Sequence, residues 1–294
     1  MVTFYRRLPR FDYVKPESLS EALGLLKGNK NGGIRVYAGG TDVIPRLKAR
    51  LLPAPEVLMD LKGLTELNYV EYDKKQGLRI GALAAISSVE SHGAVQARFA
   101  VLSQGSHSIA STQVRNRGTV VGNICSAVPS ADAVPALLCL GATLLCVSPR
   151  GERIIDIEDF FAGPRKTILA DDELLKEIRI PDMPKGGRGA YIKLSTRSRM
   201  ELALVGVGAV VAVTDGVFRD VRIGLGAVAP TPMRASRAEE VLRGEKVGEQ
   251  VIAEAGRLAA AASLPIDDHR ASAEYRRLMV EVLVKRAIGQ ALKA

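Results

Sequence analysis

The chain has 294 residues, 47% of them hydrophobic and 25% charged, and 41 Lys and Arg against 32 Asp and Glu give it a net charge of +9. That length suits two domains, since a single core rarely grows much beyond about 250 residues, and the composition can bury a core without disulfides or metals. The chain has no Trp and only 4% aromatics, and its basic residues are scattered (Arg6, Arg7 and Arg10; Arg46, Lys48 and Arg50; Arg276, Arg277, Lys285 and Arg286), which argues against a nucleic-acid surface and for solvated charge.

In chain order, the first eleven residues lack the apolar core of a signal peptide. Ser18 and Glu21 form a capping box ahead of a helix striped by Leu19, Ala22, Leu23, Leu25 and Leu26. Residues 34–38 read as a buried strand broken by Gly39 and Gly40, with a short helix over 42–51 and Pro45 in its first turn. Residues 57–61 read as another strand, and 69–72 with 78–80 as a hairpin across the polar 73–77. Helical patterns cover 87–92 and 94–109, followed by a glycine-containing loop, a helix over 132–140 and a strand over 142–147. These elements describe a mixed α/β domain.

Composition shifts at 181–189 (PDMPKGGRG), the candidate linker. Beyond it, 190–196, 205–214 and 217–226 read as strands, the last two joined by a tight Asp215-Gly216 turn. Helical patterns over 235–243, 248–262 and 272–292 close a separate α+β domain. The longest apolar stretches, 133–147 and 202–213, fall short of the roughly 20 residues a membrane span needs. A soluble, cytoplasmic protein is expected. Cys125, Cys139 and Cys146 form no C-x-x-C, which argues against a disulfide framework, a zinc site or an iron–sulfur cluster within this chain.

Two segments carry chemistry. In the first, Ala38-Gly39-Gly40-Thr41-Asp42, glycines let the backbone approach a ligand, and successive amides at a helix start make a cradle for phosphate oxygens. An ordinary tight turn with Asp42 capping the helix is the alternative. The segment fits neither the G-x-G-x-x-G fingerprint nor a Walker loop. In the second, 118–132, Thr119, Asn123 and Ser126 offer short hydrogen-bonding side chains, Gly118 and Gly122 keep the backbone open, and Asp132 either accepts from ribose hydroxyls or caps the next helix. No nucleophile–base constellation stands out, and His92, His107 and His269 each read as lone residues.

At these residues the sequence resembles the FAD-binding subunits of molybdenum hydroxylases: aerobic carbon monoxide dehydrogenase, nicotinate dehydrogenase and xanthine dehydrogenase. The resemblance is carried by YAGGTDVIPRLK at 37–48, GTVVGNICSAVPSADAVPALLCLGA at 118–142, FFAGPRKTILADDELLKEIRIP at 160–181 and YIKLSTRSRMELALVGV at 191–207. It implies an α+β fold. A two-lobed vanillyl-alcohol-oxidase-like (PCMH-type) FAD-binding domain would occupy 1–181, and a smaller C-terminal domain with an antiparallel sheet and helices would occupy 188–294. It further implies that Val36, Tyr37, Ala38, Gly39, Gly40, Thr41 and Asp42 hold the FAD pyrophosphate, and that Thr119, Gly122, Asn123 and Ser126 line the second side. Asp132 would lie further along. Leu175 and Lys193 would contact the cofactor near its flavin ring, where a cation favours the anionic reduced form.

Catalytic acid–base residues and a metal site are not expected in such a chain. The resemblance implies that molybdenum-pterin sits in a large partner subunit and [2Fe–2S] clusters in a small one, within a heterotrimer or a dimer of heterotrimers. The external electron acceptor would be NAD or a quinone. The alternative is a self-sufficient flavin-dependent oxidoreductase on the same fold. The chain departs from the usual family pattern with Val121 ahead of Gly122-Asn123 in place of Gly-Gly-Asn, and with Glu201 in place of Asp. It also lacks the cysteine-bearing insertion of the 4-hydroxybenzoyl-CoA reductases.

Overall fold

Ser18 starts the first helix, Leu19–Leu26, by accepting from the Glu21 amide, while the Glu21 carboxylate reaches back to the Glu17 amide, one residue earlier than a capping box predicts. Ala22 and Leu26 on its buried side share a core with Met59 and Leu61. In the computed structural model, which describes residues 7–29, 32–198 and 200–294, this core is walled by a three-stranded parallel sheet. Val57–Asp60 is central, flanked by Asp12–Val14 and Ile34–Tyr37. The expectations for residues 1–6, Arg6 included, lie outside the described residues.

The second sheet is antiparallel and five-stranded, in the order Val70–Asp73, Gly77–Gly81, Leu174–Ile180, Thr143–Ser148 and Gly151–Asp156. The hairpin read from the sequence supplies its first two strands. Its central strand, Leu174–Ile180, and its edge strand, Gly151–Asp156, were not among the sequence-read elements. The helical pattern over 94–109 is two helices, Gly93–Arg98 and Ala100–His107, broken at Phe99, whose ring is fully buried. The segment 118–132, read as one loop, contains helix Val120–Cys125.

The third sheet orders Gly187–Leu194, Val205–Thr214, Val217–Gly226 and Met233–Arg234, all antiparallel. Its first strand begins inside the expected linker, because Gly187 already pairs with Ala212. The long apolar run of Val205–Thr214 has a direct cause. Val205, Val207, Ala209 and Val211 face a second core closed by helices Ser236–Leu242, Glu249–Ala262 and Ala273–Lys293, whereas Val210 faces the first core. A strand covered on both faces loses the polar alternation of a half-exposed one.

Helix Ala133–Cys139 belongs to the first core yet packs on this third sheet. Its Pro135 carbonyl lies so near Gly224 that a Cβ there would stand 2.3 Å away. Among the described residues no helix is long and apolar enough to cross a membrane.

One buried ion pair fastens the helices to the sheet. Glu239, 3% exposed, accepts from the Ile223 amide at 2.8 Å and from both ends of the Arg234 guanidinium, which also reaches Glu158 at 3.1 Å. Removing Arg234 leaves the Glu239 carboxylate buried without a counter-charge. Arg234→Ala is expected to lower the free energy of unfolding by about 3–5 kcal/mol in urea titrations followed by circular dichroism, and a loss under about 1 kcal/mol would contradict this reading.

Candidate functional site

Strand Ile34–Tyr37 runs into the segment 38–42, and helix Val43–Lys48 starts directly after it. Gly39 approaches the neighbouring segment so closely that a Cβ would stand 2.1 Å from the Arg117 carbonyl oxygen. Gly40, at φ +75°, tucks against the Tyr37 ring. Only glycine allows both features. A side-chain bond reinforces the contact, with the Ser126 hydroxyl 2.6 Å from Asp42 Oδ2. Asp42 makes no cap bond to its own helix, so the helix-cap alternative fails and the residue acts as a clamp between segments.

Thr119 caps helix Val120–Cys125, its hydroxyl accepting from the Gly122 amide at 2.9 Å. Val121 is 5% exposed and packs into the first core, so the departure from Gly-Gly-Asn fills the interior while Gly122 stays at the accessible side. The helix packs against strand Leu174–Ile180, which carries the buried Leu175 opposite Cys146 and bulges immediately after it. Val36 and Tyr37 end the first strand, and the Lys62 ammonium lies 3.9 Å over the Tyr37 ring.

Two observations point to a ligand here. The amides of Gly39, Gly40, Thr41 and Asp42 find no acceptor among the described residues. Folded chains pair nearly all such groups or leave them to solvent, and four in succession at a helix start offer donors to an anion. Asn123 Oδ1 is buried without a partner. FAD fits this chemistry: diphosphate oxygens accept from amides, and its sugar hydroxyls donate to a carboxamide oxygen.

Asp132 and Lys193 form a different group. Lys193 Nζ lies 2.8 Å from Asp132 Oδ2 and 3.0 Å from the Ser108 carbonyl, while the Tyr191 hydroxyl donates to Asp132 Oδ1 at 2.8 Å. Burial pushes the Asp132 carboxyl up, and the bonds from Lys193 and Tyr191 pull the other way. Asp132 does not cap helix Ala133–Cys139, which corrects that sequence alternative. Lys193 is neutralised by its partner rather than standing as a free cation. No hydrogen bond or ion pair among the described residues joins this group to the segment 38–42. Tyr191 was missed as a site residue, as was Gln104, whose side-chain oxygen accepts from the Tyr191 amide at 2.7 Å. Neither carries a sequence signal, since the bonds span 59 and 87 positions.

His107 is not the lone residue the sequence suggested. Its Nδ1 lies 2.6 Å from Glu90 Oε1, and Arg115 Nε donates to Glu90 Oε2 at 2.7 Å. Burial pushes the Glu90 carboxyl up, but the His107 and Arg115 bonds outweigh it and hold the group below the ordinary carboxylate range. Glu90 and His107 line a cavity of about 400 Å³ together with Gln104 and Tyr191. Cys139 and Cys146 are buried as expected, and Cys125 is exposed.

Comparison with known proteins bears on this arrangement. Residues 9–183 match the FAD binding domain in molybdopterin dehydrogenase, and residues 190–291 match the CO dehydrogenase flavoprotein C-terminal domain. The glyceraldehyde dehydrogenase medium chain of Sulfolobus acidocaldarius is 34% identical over 282 residues, covering 96% of this chain and 98% of that one. The xanthine dehydrogenase FAD-binding subunit of Escherichia coli is 30% identical, covering 96% of each. A carbon monoxide dehydrogenase structure from Hydrogenophaga pseudoflava, lacking the Mo-pyranopterin moiety of its molybdenum cofactor, superposes with a TM-score of 0.93 at 33% identity, covering 98% of this chain and 99% of that one.

Gly39→Ala drives a methyl group into the Arg117 carbonyl. The two segments must part, at a cost of about 1–3 kcal/mol in unfolding free energy. Chemical denaturation measures the loss, and an unchanged midpoint would contradict the contact.

Proposed function

We propose that this chain, which belongs to the FAD-binding subunits of the molybdenum hydroxylases, is the electron-relaying member of a multi-subunit complex. The observation that carries the reading is the row of unengaged amides at 39–42, held by an all-backbone contact beside the orphaned Asn123 oxygen. When bound, FAD supplies redox chemistry that links the one-electron [2Fe–2S] clusters of a small partner to a two-electron acceptor such as NAD or a quinone. A large partner would hold molybdenum-pterin and meet the substrate. The complex would work in the cytoplasm.

Within this reading, residues 1–181 form the cofactor domain and 188–294 a domain that closes over it. The amides of Gly39 to Asp42 donate to the diphosphate, with Val36, Tyr37 and Ala38 fixing the approach of the strand. Asn123 Oδ1 accepts from a cofactor hydroxyl, and Thr119, Gly122 and Ser126 shape the opposite wall. Leu175 supplies an apolar surface against a ring. Asp132 and Lys193 act as one neutral unit that orients the ring end. Each Asp132 oxygen already accepts one bond and keeps a lone pair for a hydroxyl. Excluding water from the ring end strengthens the field of that unit.

The purified chain is expected to be yellow and to release FAD equimolar with protein on denaturation, as identified by mass and absorption. A folded, colourless protein that takes up no added FAD would overturn the assignment. Asn123→Leu removes the acceptor while keeping the branched shape, and is expected to weaken FAD by roughly tenfold or more in fluorescence titrations.

A further inference from the structure

We propose that Arg46 and Arg165 form a cationic clamp on the diphosphate of the bound flavin nucleotide, a role that rests on the FAD reading of these two segments. A chain of contacts gathers the two residues beside the amide cradle. Asp42 bonds to Ser126, and the next residue, Ala127, accepts at its carbonyl from the Arg165 amide at 2.7 Å. That bond docks the turn between strands Phe161–Gly163 and Lys166–Thr167, with Arg165 at φ +61°, on the second segment. Arg46 sits one helical turn beyond Asp42, its amide bonded to the Asp42 carbonyl at 3.1 Å. Side chains on a helix lean toward its N-terminus, and the Arg46 guanidinium lies near enough to Asp42, Arg165 and Arg35 to feel their charges.

The charge at this place is unbalanced. No carboxylate lies within ion-pair distance of Arg46 or Arg165 among the described residues, nor of Arg35 on the adjoining strand or Arg117 beside Gly39. Asp42 is the acid of the cradle, and it is engaged with Ser126. Burial lowers the Arg46 pKa, and the charges of Arg165 and Arg35 lower it further against the pull of Asp42. Like charges brought together without a counter-ion repel, and a diphosphate relieves that repulsion while the amides satisfy its remaining oxygens. The clamp recognises the phosphates and is indifferent to the ring.

The test titrates the full-length chain, stripped of flavin, with FAD and with riboflavin, which has no phosphate, at low and high salt. Arg46→Gln and Arg165→Gln are each expected to weaken FAD by about tenfold, to flatten its salt dependence and to leave riboflavin unchanged. Arg237→Gln, at an exposed position of helix Ser236–Leu242, serves as a charge control and is expected to change neither ligand. Thermal midpoints report whether each variant is folded. Folded variants that bind FAD as tightly as the parent would overturn the clamp and leave the flavin assignment standing. So would variants that lose FAD and riboflavin alike. A folded parent that binds no FAD would overturn both.

Discussion

The site depends on one backbone contact, Gly39 packed against the carbonyl of Arg117 with no room for a side chain between them. The parallel strand that delivers Gly39 belongs to the three-stranded sheet, and the cap that follows Arg117 starts a helix packed on the five-stranded one. Their approach sets the two segments side by side, and the Asp42–Ser126 bond holds them in register. The amides of residues 39–42 find no acceptor among the described residues. A ligand that accepts several hydrogen bonds along a short stretch is what such a row of amides can hold. Preorganisation of this kind spares the ligand the cost of ordering the loop.

A second junction ties the C-terminal domain to this frame. Helix Ala133–Cys139 fits its Pro135 carbonyl against Gly224, and the strand Gly187–Leu194 carries both Tyr191 and Lys193 to Asp132. The third sheet therefore serves two purposes, covering the first core with one face and presenting a buried ion pair at its edge. Removing either charge would strand the other at low exposure, so the two positions are expected to vary together or not at all.

Much of the fold was legible where local chemistry and global packing agree. Ser18 and Ser272 cap the helices their positions suggest, and Asp215 and Gly216 both adopt the positive φ of a tight hairpin turn. The strand Leu174–Ile180 was not legible. Its partner Gly77–Gly81 lies far back in the chain, its buried residues do not alternate, and a bulge between Leu175 and Glu177 shifts the register. Helix Val120–Cys125 was hidden because its β-branched residues and glycine favour other conformations, and packing overrides them. Gly39 and Gly40 were legible as a sharp glycine turn and Asn123 as a hydrogen-bonding side chain, and the structure shows the close Gly39–Arg117 approach and the unpartnered Asn123 oxygen. The pairing of Asp132 with Lys193, 61 positions apart, was not, because each looked like a separate ligand group until the fold joined them.

The most direct test of the central claim is amide hydrogen exchange on the chain with and without FAD. The unengaged amides of residues 39–42 should exchange rapidly in the free chain, and FAD should slow them together with residues 119–126. The third sheet, away from Tyr191 and Lys193, should stay unchanged. Flavin binding that leaves the amides of 39–42 exchanging as in the free chain would contradict the account, because the diphosphate would then lie elsewhere.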